Sequence, residues 1–322
     1  MKEHTLLPRQ RYAFLLTAVS APAVAAASRL SWVWVLTVTL LAAAVTVALH
    51  VLQSQSPMPL AQATCRVWGK GFGTVILVLQ FFFAAVVLWQ LALGSDAAFP
   101  DENTVPFVPL TLLAVCAWAA FQGWAACIRA VGVLFFFLAA LYIIVFAFAV
   151  PEMEWHRLSE PFAAGDLLPL GVVLLLPLWG QYLVSPREER GKFPVWFLAA
   201  FLFLPTAASA ACAAVPGSRG SFYTMAKSVE VLSFAQRIEP LVSVAQTVGW
   251  FAALCLTAVT AGELSGAIGI APRWGALAAC ILAAVGVVSQ MHLSPAGLLL
   301  AGAVFCIIFP LLTQAIVLRK KV

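Results

Sequence analysis

Residues 130–150 read AVGVLFFFLAALYIIVFAFAV, a stretch of 21 residues without a charged side chain. A helix needs about 20 apolar residues to cross the hydrocarbon core of a bilayer. Backbone N–H and C=O groups find no water in that core, so a spanning segment bonds them internally as a helix. The stretch therefore predicts a transmembrane helix.

Similar apolar stretches recur on both sides of it. Of the 322 residues, 63% are hydrophobic and 10% are charged, which exceeds the apolar share that a soluble domain can bury. The strict alternation typical of a membrane β-barrel is absent. We expect an all-α integral membrane protein with a single transmembrane domain over residues 1–322 and about ten transmembrane helices. The predicted spans are 12–28, 31–52, 72–93, 107–128, 130–150, 167–184, 193–215, 239–261, 274–291 and 295–318.

The positions of the basic residues predict the orientation of these spans. If the N-terminus is cytoplasmic, all but five of the 18 Lys and Arg residues fall in cytoplasmic segments. Cytoplasmic loops carry an excess of Lys and Arg, so both termini are expected in the cytoplasm. The five exceptions, in predicted outer segments, are Arg29, Arg157, Arg219, Lys227 and Arg237.

The outer segment at residues 221–236 has its own pattern. Phe222, Met225, Val229 and Leu232 are spaced three and four residues apart, which predicts an amphipathic helix on the outer surface. Such a helix is either a lid over an outer vestibule or a surface helix that fills a groove.

Two predicted spans contain helix-breaking residues. The first carries Ser20-Ala21-Pro22, and the sixth carries Pro177 and Gly180 in its second half. Interrupted helices persist at membrane depth where they line a cavity or pack against protein, and they often bind substrates. These two spans are five apart, as an inverted repeat of five plus five helices would require; the alternative is that the breaks are prolines and glycines of the kind that membrane helices tolerate routinely. In the repeat arrangement, repeat one covers about 12–150, repeat two covers about 167–318, and helices 1 and 6 are broken.

Polar side chains inside the spans are few, and they define the candidate site. No Asp, Glu, Lys or Arg lies at the centre of a span, which argues against a proton pump or a voltage sensor. The alternative for any one glutamine is a hydrogen bond between helices. The residues expected to line a mid-membrane ligand site are Thr17, Ser20, Ala21, Gln80, Trp179, Gly180, Gln181 and Gln246.

Motifs of enzymes are missing from the sequence. The histidines His4, His50, His156 and His292 are scattered, and no P-loop, nucleophile elbow or HExxH motif occurs. We expect no catalytic residues, no metal site, no cofactor and no nucleic-acid partner.

Three segments carry a resemblance to a known family. In residues 121–166, a short turn precedes a long apolar helix and a proline-ended loop, and the positions involved are Gly123, Arg129, Pro151, Leu158, Pro161 and Gly165. Residues 223–250 contain Arg237 and Glu239 ahead of Trp250. The N-terminal SAPAVAAASRLSWVWV supplies Pro22, Ser31 and Trp32. In these features the chain resembles the spore germination permeases, the B subunits of GerA-type germinant receptors in the amino acid–polyamine–organocation superfamily.

This resemblance implies a function and partners. It implies a small germinant such as an amino acid, a membrane A subunit, a lipoprotein C subunit, and the inner membrane of a bacterial spore. Members of the family often have a Gly-Glu pair where this chain has Gly180-Gln181, and glutamine does not ionise. A germinant-sensing subunit is therefore one expectation. An amino acid or cation transporter of the same fold and a non-binding scaffold for the receptor remain alternatives.

Overall fold

The described residues of the computed structural model are 8–56, 58–98, 107–159, 167–183, 193–218, 221–229, 239–289 and 293–320, and they form helices and turns without a strand. The α-helices are α1 (Pro8–Ala27), α2 (Trp32–Gln55), α3 (Leu60–Trp68), α4 (Lys70–Gly94), α5 (Phe107–Phe121), α6 (Trp124–Ala149), α7 (Leu168–Leu174), α8 (Val195–Ala214), α9 (Phe222–Ser228), α10 (Glu239–Ala267), α11 (Pro272–Val288), α12 (Pro295–Gly302) and α13 (Phe309–Lys320). A 3₁₀ segment, Leu176–Tyr182, follows α7, and a π-helical segment, Ala303–Ile308, joins α12 to α13.

The helices have the length and composition of membrane spans. Within the described ranges, six are long and apolar enough to cross a membrane: Trp32–Gln55, Lys70–Gly94, Trp124–Glu152, Val195–Ala214, Pro240–Ala267 and Pro295–Arg319. Three shorter apolar helices are Phe107–Phe121, Leu168–Gly180 and Pro272–Val288. Large apolar side chains such as Val133, Phe136 and Val195 are exposed on the surface, as expected where lipid is the solvent. The expected all-α, multi-pass membrane character is confirmed.

The turn between α5 and α6 lies earlier than predicted. The sequence predicted one span to residue 128 and the next from residue 130, whereas α5 ends at Phe121 and α6 begins at Trp124. Gly123 has a φ of 95°, a conformation that favours glycine because it has no Cβ. Arg129 lies inside α6 and donates from Nε to the carbonyl of Ala125 at 3.1 Å. A single arginine does not end a helix, because its long side chain can extend from the helix surface.

Helix α3 was not predicted. It begins after Pro59, buries Leu60, Ala63 and Thr64, and ends before Gly69, which has a φ of 79°. A Cβ atom on Gly73 of α4 would lie 2.7 Å from Cα of Cys65, so α3 packs closely on α4.

The first predicted span forms one continuous helix, so the prediction that it is broken is wrong. Helix α1 runs from Pro8 to Ala27 with Pro22 inside it. Proline removes one hydrogen bond to the preceding turn, but neighbouring helices can hold such a helix together in a membrane protein. Here α1 packs against α6, α7, α8 and α10, and Ala18, Val19, Ala21 and Ala23 are fully buried.

The sixth predicted span, residues 167–184, changes its helical geometry midway. Helix α7 ends at Leu174, and Leu178 N–H donates to the carbonyl of Leu175 at 3.0 Å, an i to i+3 bond. Pro177 sits in the first turn of the 3₁₀ segment. This position suits proline because the first N–H groups of a helix have no partner within it.

Helix α9 covers the first part of the predicted amphipathic helix. Phe222, Met225 and Val229 of the predicted apolar stripe are buried. The helix ends at Ser228, and Val229 is already extended, with φ −91° and ψ 117°. Leu232 and the rest of the predicted helix lie outside the described residues.

The bundle has two ends, which we name by residues. The Arg29 end contains the α1–α2 turn, residues 95–98, residues 150–159 and α9; there Trp32 Nε1 donates to the carbonyl of Leu158 at 3.3 Å. The Gly123 end contains the start of α1, α3, the α5–α6 turn and the α10–α11 turn; there Arg273 lies 5.8 Å from the centre of the Phe121 ring.

Helix α10 lies at the centre of the bundle and contacts α1, α4, α5, α6 and α11. The approach of α1 is especially close. A Cβ atom on Gly249 of α10 would lie 2.5 Å from Cβ of Ala21, so α1 and α10 meet where both have only small side chains.

Helix contacts recur at a separation of five segments. We number α1, α2, α4, α5 and α6 as segments one to five, and α7, α8, α10, α11 and α12–α13 as segments six to ten. Several contacts between two segments have a counterpart between the two segments that lie five further along or five earlier. The related pairs are α1–α6 with α7–α12, α1–α8 with α7–α2, α5–α10 with α4–α11, and α2–α13 with α8–α6. The short helices follow the same exchange, since α3 packs on α4 and α13 while α9 packs on α10 and, through Phe222 and Phe146, on α6.

Candidate functional site

The predicted site residues of α1 do not face a cavity between the first and sixth segments. Thr17 Oγ1 donates to the carbonyl of Ala13 at 2.8 Å, and Ser20 Oγ donates to the carbonyl of Thr17 at 2.7 Å. Both hydroxyls are therefore satisfied within their own helix. Ala21 is fully buried, and the backbone of Gly249 lies directly against it.

Thr17 and Ser20 instead line a cavity of about 420 Å³ between α1, α6 and α8. Its other walls include Tyr142 and the surface residues Ile143 and Phe203, whose side chains are 69% and 62% exposed. This cavity is a groove on the apolar outside of the bundle.

The predicted residues of the sixth segment pack directly on their neighbours. A Cβ atom on Gly180 would lie 3.0 Å from Cδ1 of Leu15. The Trp179 ring stacks on Phe83 of α4 with a centroid separation of 5.9 Å. At the level of Leu15, the first and sixth segments are thus in contact.

Gln80 joins three segments of the bundle. Its Nε2 donates to the hydroxyl of Tyr182 at 2.9 Å and to the carbonyl of Phe305 in the π-helical segment at 3.2 Å. Its buried Oε1 has no partner among the described residues. The arrangement matches the alternative interpretation, in which the glutamine bonds helices together.

Gln246 lies nearer the Arg29 end. Its Nε2 donates to the hydroxyl of Tyr142 at 3.4 Å, while its Oε1 is buried without a partner in the described part of the chain. With Ser28, Arg29 and Phe222 it lines a small pocket of about 40 Å³ beneath α9.

Other predicted positions lie outside the described residues. Pro161 and Arg237 belong to undescribed segments, and so do the side chains of Gln181 and Glu239. Their predicted roles stay predictions.

A cavity lined by described residues lies at the Arg29 end between the first and sixth segments, displaced from the predicted mid-membrane position. Its volume is about 480 Å³, which is within the usual range for small-molecule sites. The wall from α1 consists of Pro22, Ala25, Ala26, Arg29 and Leu30, and the wall from α4 of Val87, Gln90, Leu91 and Gly94. The other walls are Pro169, Val172 and Val173 of α7, Trp250 of α10, and Leu293, Pro295 and Leu298 at the start of α12.

Three polar side chains line this cavity, and each offers a hydrogen-bond donor. The Arg29 side chain is exposed. Gln90 Nε2 and Trp250 Nε1 are buried and have no acceptor among the described residues. A buried donor without a partner is costly, and such exceptions in a folded protein point to an unseen partner.

Gly94 determines how Trp250 fits. A Cβ atom on Gly94 would lie 2.8 Å from the Cη2 atom of Trp250. The tryptophan, which is 5% exposed, therefore occupies space that only glycine leaves free, and it closes the α10 side of the cavity.

Asp96 follows the α4 wall of the cavity in a 3₁₀ turn, Ser95–Ala98. Partial burial raises the pKa of its carboxyl group above the ordinary value of 3.8, because desolvation disfavours the charged form.

Aromatic and polar side chains pack together at the Gly123 end. Arg11 Nη2 donates to the Tyr12 hydroxyl at 3.1 Å, and that hydroxyl lies 3.2 Å from His50 Nδ1. The Tyr12 ring lies 5.3 Å from Phe193 and 5.4 Å from Phe197. This cluster joins α1, α2 and α8. The first segment is therefore packed at the Gly123 end, whereas at the Arg29 end it borders an open cavity.

Most of the residues of the cavity were not predicted from the sequence. Trp250 was selected only as a motif residue, Pro22 as a helix-breaking and motif residue, and Arg29 was counted only for its charge. Gln90 carried a usable signal, because it is one of the few polar residues within a predicted span. The apolar walls carried none, since their residues are those of any membrane helix.

Comparison with known protein families finds no matching family, and comparison with curated proteins finds no matching protein.

Proposed function

We propose that this chain binds a small solute in the cavity at the Arg29 end and acts as the germinant-sensing subunit of a spore germination receptor. The observation that carries the binding proposal is the 480 Å³ cavity between the first and sixth segments, with two buried donors unpaired in its walls. The receptor assignment rests on the resemblance of the sequence to the germination permeases.

Ten membrane spans form part of the proposal. The six long helices and three shorter apolar ones supply nine of them, and α1 supplies the tenth, because it is buried among these helices. The exchange of helix contacts at a separation of five segments supports two inverted five-helix repeats.

The charges support an orientation with both termini in the cytoplasm. At the Gly123 end lie Arg9, Arg11, Arg66, Lys70, Arg129, Arg273 and Arg319, and at the Arg29 end the described basic residues are Arg29, Arg157 and Lys227. Because cytoplasmic segments are enriched in Lys and Arg, the Arg29 end faces outward and its cavity receives solutes from outside.

Sensing requires that the solute bind one arrangement of the helices better than another. The cavity is bounded by α1, α4, α7, α10 and α12, so a bound solute contacts both proposed repeats. A change in their spacing would pass to the partners, an A-type membrane subunit and a C-type lipoprotein subunit, in the inner membrane of a bacterial spore.

A ligand screen on the purified protein tests the binding proposal. A solute that binds the folded state raises the unfolding temperature by mass action, so we expect one class among amino acids, sugars, nucleosides and small organic acids to raise it. The variant Ala26→Phe fills the cavity and is expected to abolish the response, whereas Ala130→Phe, at an exposed position of α6, is expected to keep it. If every class fails, the binding proposal is wrong, and the non-binding scaffold is favoured.

A transporter of the same fold is the second candidate. The specific observation in its favour is that the first segment borders an open cavity at the Arg29 end, whereas at the Gly123 end the same segment is packed in the cluster of Tyr12, His50 and Phe193. Access from one side at a time is the expected state of an alternating-access transporter. Uptake of the bound solute into proteoliposomes would favour this candidate, and binding without uptake would favour the receptor.

A further inference from the structure

We propose that the cavity at the Arg29 end selects a small carboxylate with an apolar body, and that Arg29, Gln90 and Trp250 bind the carboxylate oxygens. This inference rests on the proposed function, since it names the class of solute for the same cavity.

The polar groups of the cavity are donors that need acceptors. The indole N–H of Trp250 only donates, and the Arg29 guanidinium has no acceptor atom. The Gln90 Nε2 atom is enclosed and unpaired, and a half-turn of the amide, which exchanges its NH₂ group and its oxygen, would turn this donor toward the cavity. A carboxylate offers about four lone-pair sites on two oxygens, so one group can accept from all three side chains.

The charge of the cavity favours an anion. Arg29 is the sole charged side chain among the described residues that line it, and no ion pair involving Arg29 occurs in the described part of the protein. A guanidinium forms its strongest hydrogen bonds with carboxylates and phosphates. An ammonium group would meet the like charge of Arg29, and no described lining residue carries a carboxylate to pair with it.

The remaining walls favour an apolar body. Ala26, Leu91, Val172 and Leu298 face the cavity together with three prolines. Alkyl groups gain free energy when they leave water for such a surface. A phosphate-sized polyanion would place further oxygens against apolar walls, which is costly.

Four probes of nearly the same size separate these possibilities: pentanoate, pentanamide, pentylamine and the zwitterion 2-aminopentanoate. With wild-type protein in lipid nanodiscs at neutral pH, we expect pentanoate to bind most tightly by calorimetry and by thermal shift. Pentanamide is expected to bind about tenfold or more weakly, because it lacks the charge-assisted hydrogen bond. The two amines are expected to bind more weakly than pentanoate as well.

Three variants assign the carboxylate contact. Arg29→Gln is expected to weaken pentanoate about tenfold or more while leaving pentanamide nearly unchanged. Gln90→Leu and Trp250→Phe each remove one donor and are expected to weaken pentanoate more than pentanamide. The control Arg129→Gln removes an equal charge from an exposed position of α6 and is expected to change neither affinity.

The outcomes separate this inference from the proposed function. If pentanamide or pentylamine binds wild-type protein as tightly as pentanoate, or if Arg29→Gln retains pentanoate affinity, the carboxylate inference is overturned and the cavity still binds solutes. Equal affinity for 2-aminopentanoate would overturn the exclusion of an ammonium group and leave the carboxylate contact standing. If pentanoate fails while a sugar or nucleoside raises the unfolding temperature, the inference also fails and the binding function stands. If pentanoate and every solute of the wider screen fail, both are overturned.

Discussion

At the scale of single residues, the contact between Gly94 and Trp250 is the most demanding one around the cavity. The six-membered ring of Trp250 lies where a side chain on Gly94 would begin, and the indole N–H has no acceptor among the described residues. Packing and hydrogen bonding thus concern the same side chain, and a change at Gly94 affects both the stability of the bundle and the wall of the cavity.

Gly94→Ala is expected to lower the stability of the protein. The added Cβ would lie 2.8 Å from the Trp250 ring, and overpacking of this kind typically costs about 1–3 kcal/mol. Thermal unfolding in detergent measures the effect. The control Gly132→Ala adds a Cβ in α6 where no atom lies within 4 Å, so it is expected to be neutral or slightly stabilising. Equal stability of Gly94→Ala and wild type would contradict the tight contact.

Asp96 predicts a pH dependence of stability. Partial desolvation raises the pKa of this exposed carboxyl in the folded protein above 3.8, so the folded state holds the proton more tightly than the unfolded state. The contribution of Asp96 to stability is therefore most favourable below the ordinary pKa and declines as pH rises through the raised value. When the free energy of unfolding is measured from below the ordinary pKa of 3.8 to neutral pH, Asp96→Asn is expected to remove that decline. A variant with the same pH profile as wild type would refute the assignment to Asp96.

At the scale of elements, the continuity of α1 changes the meaning of Pro22. In an interrupted helix the proline would create a hinge. Here it lies inside a continuous, packed helix, where it removes one backbone hydrogen bond. The change of helical geometry occurs instead in the sixth segment, where α7 gives way to the 3₁₀ segment.

Pro22→Ala is expected to raise the unfolding temperature of the ligand-free protein slightly. Alanine supplies an N–H to the carbonyl of Ala18 and relieves the clash of the proline ring with the preceding turn. The control Pro177→Ala changes a proline in the first turn of the 3₁₀ segment, where no helical bond is missing, and is expected to give little increase. A clear loss of stability in Pro22→Ala would indicate that the proline shapes α1 in a way that alanine does not reproduce.

The apolar helices were predictable from sequence, but their exact pairing was not. A long uncharged stretch such as residues 130–150 has one stable conformation in lipid, and the structure has a helix there. The span boundary was placed at Arg129, the charged residue between two apolar stretches, rather than at the Gly123 turn that the family resemblance implied. Helix α3 was missed because a short helix with one buried stripe lacks the uniform hydropathy of a span.

The site depended on information that the sequence does not contain. Gln80 was rightly recognised as a rare polar residue of a span, but only the fold shows that it bonds Tyr182 and Phe305. Trp250 and Arg29 are 221 positions apart in sequence, and no local pattern shows that they line the same cavity.

At the scale of the whole molecule, the distribution of charge sets the orientation in the membrane. The described basic residues are concentrated at the Gly123 end, and the cavity opens at the opposite end. Under the proposed function, the orientation decides which compartment would supply the solute.

Labelling with a membrane-impermeant maleimide tests this orientation in intact cells. Six of the seven native cysteines are buried, so a Cys65→Ala background leaves little reactive thiol. We expect labelling of Trp155→Cys, at a 62% exposed position of the Arg29 end, and none of Gln62→Cys, which is exposed on α3. The opposite pattern would invert the topology and place the cavity on the cytoplasmic side.

The mixed geometry of the sixth segment has a mechanical consequence. A 3₁₀ helix advances about 2.0 Å per residue and an α-helix about 1.5 Å. The segment Leu176–Tyr182 is therefore longer along its axis than an α-helix with the same number of residues. Were its seven residues to rewind into α-helical form, their length would contract by about 3.5 Å. Tyr182 would be drawn toward Leu175, straining the bond that Gln80 makes to its hydroxyl.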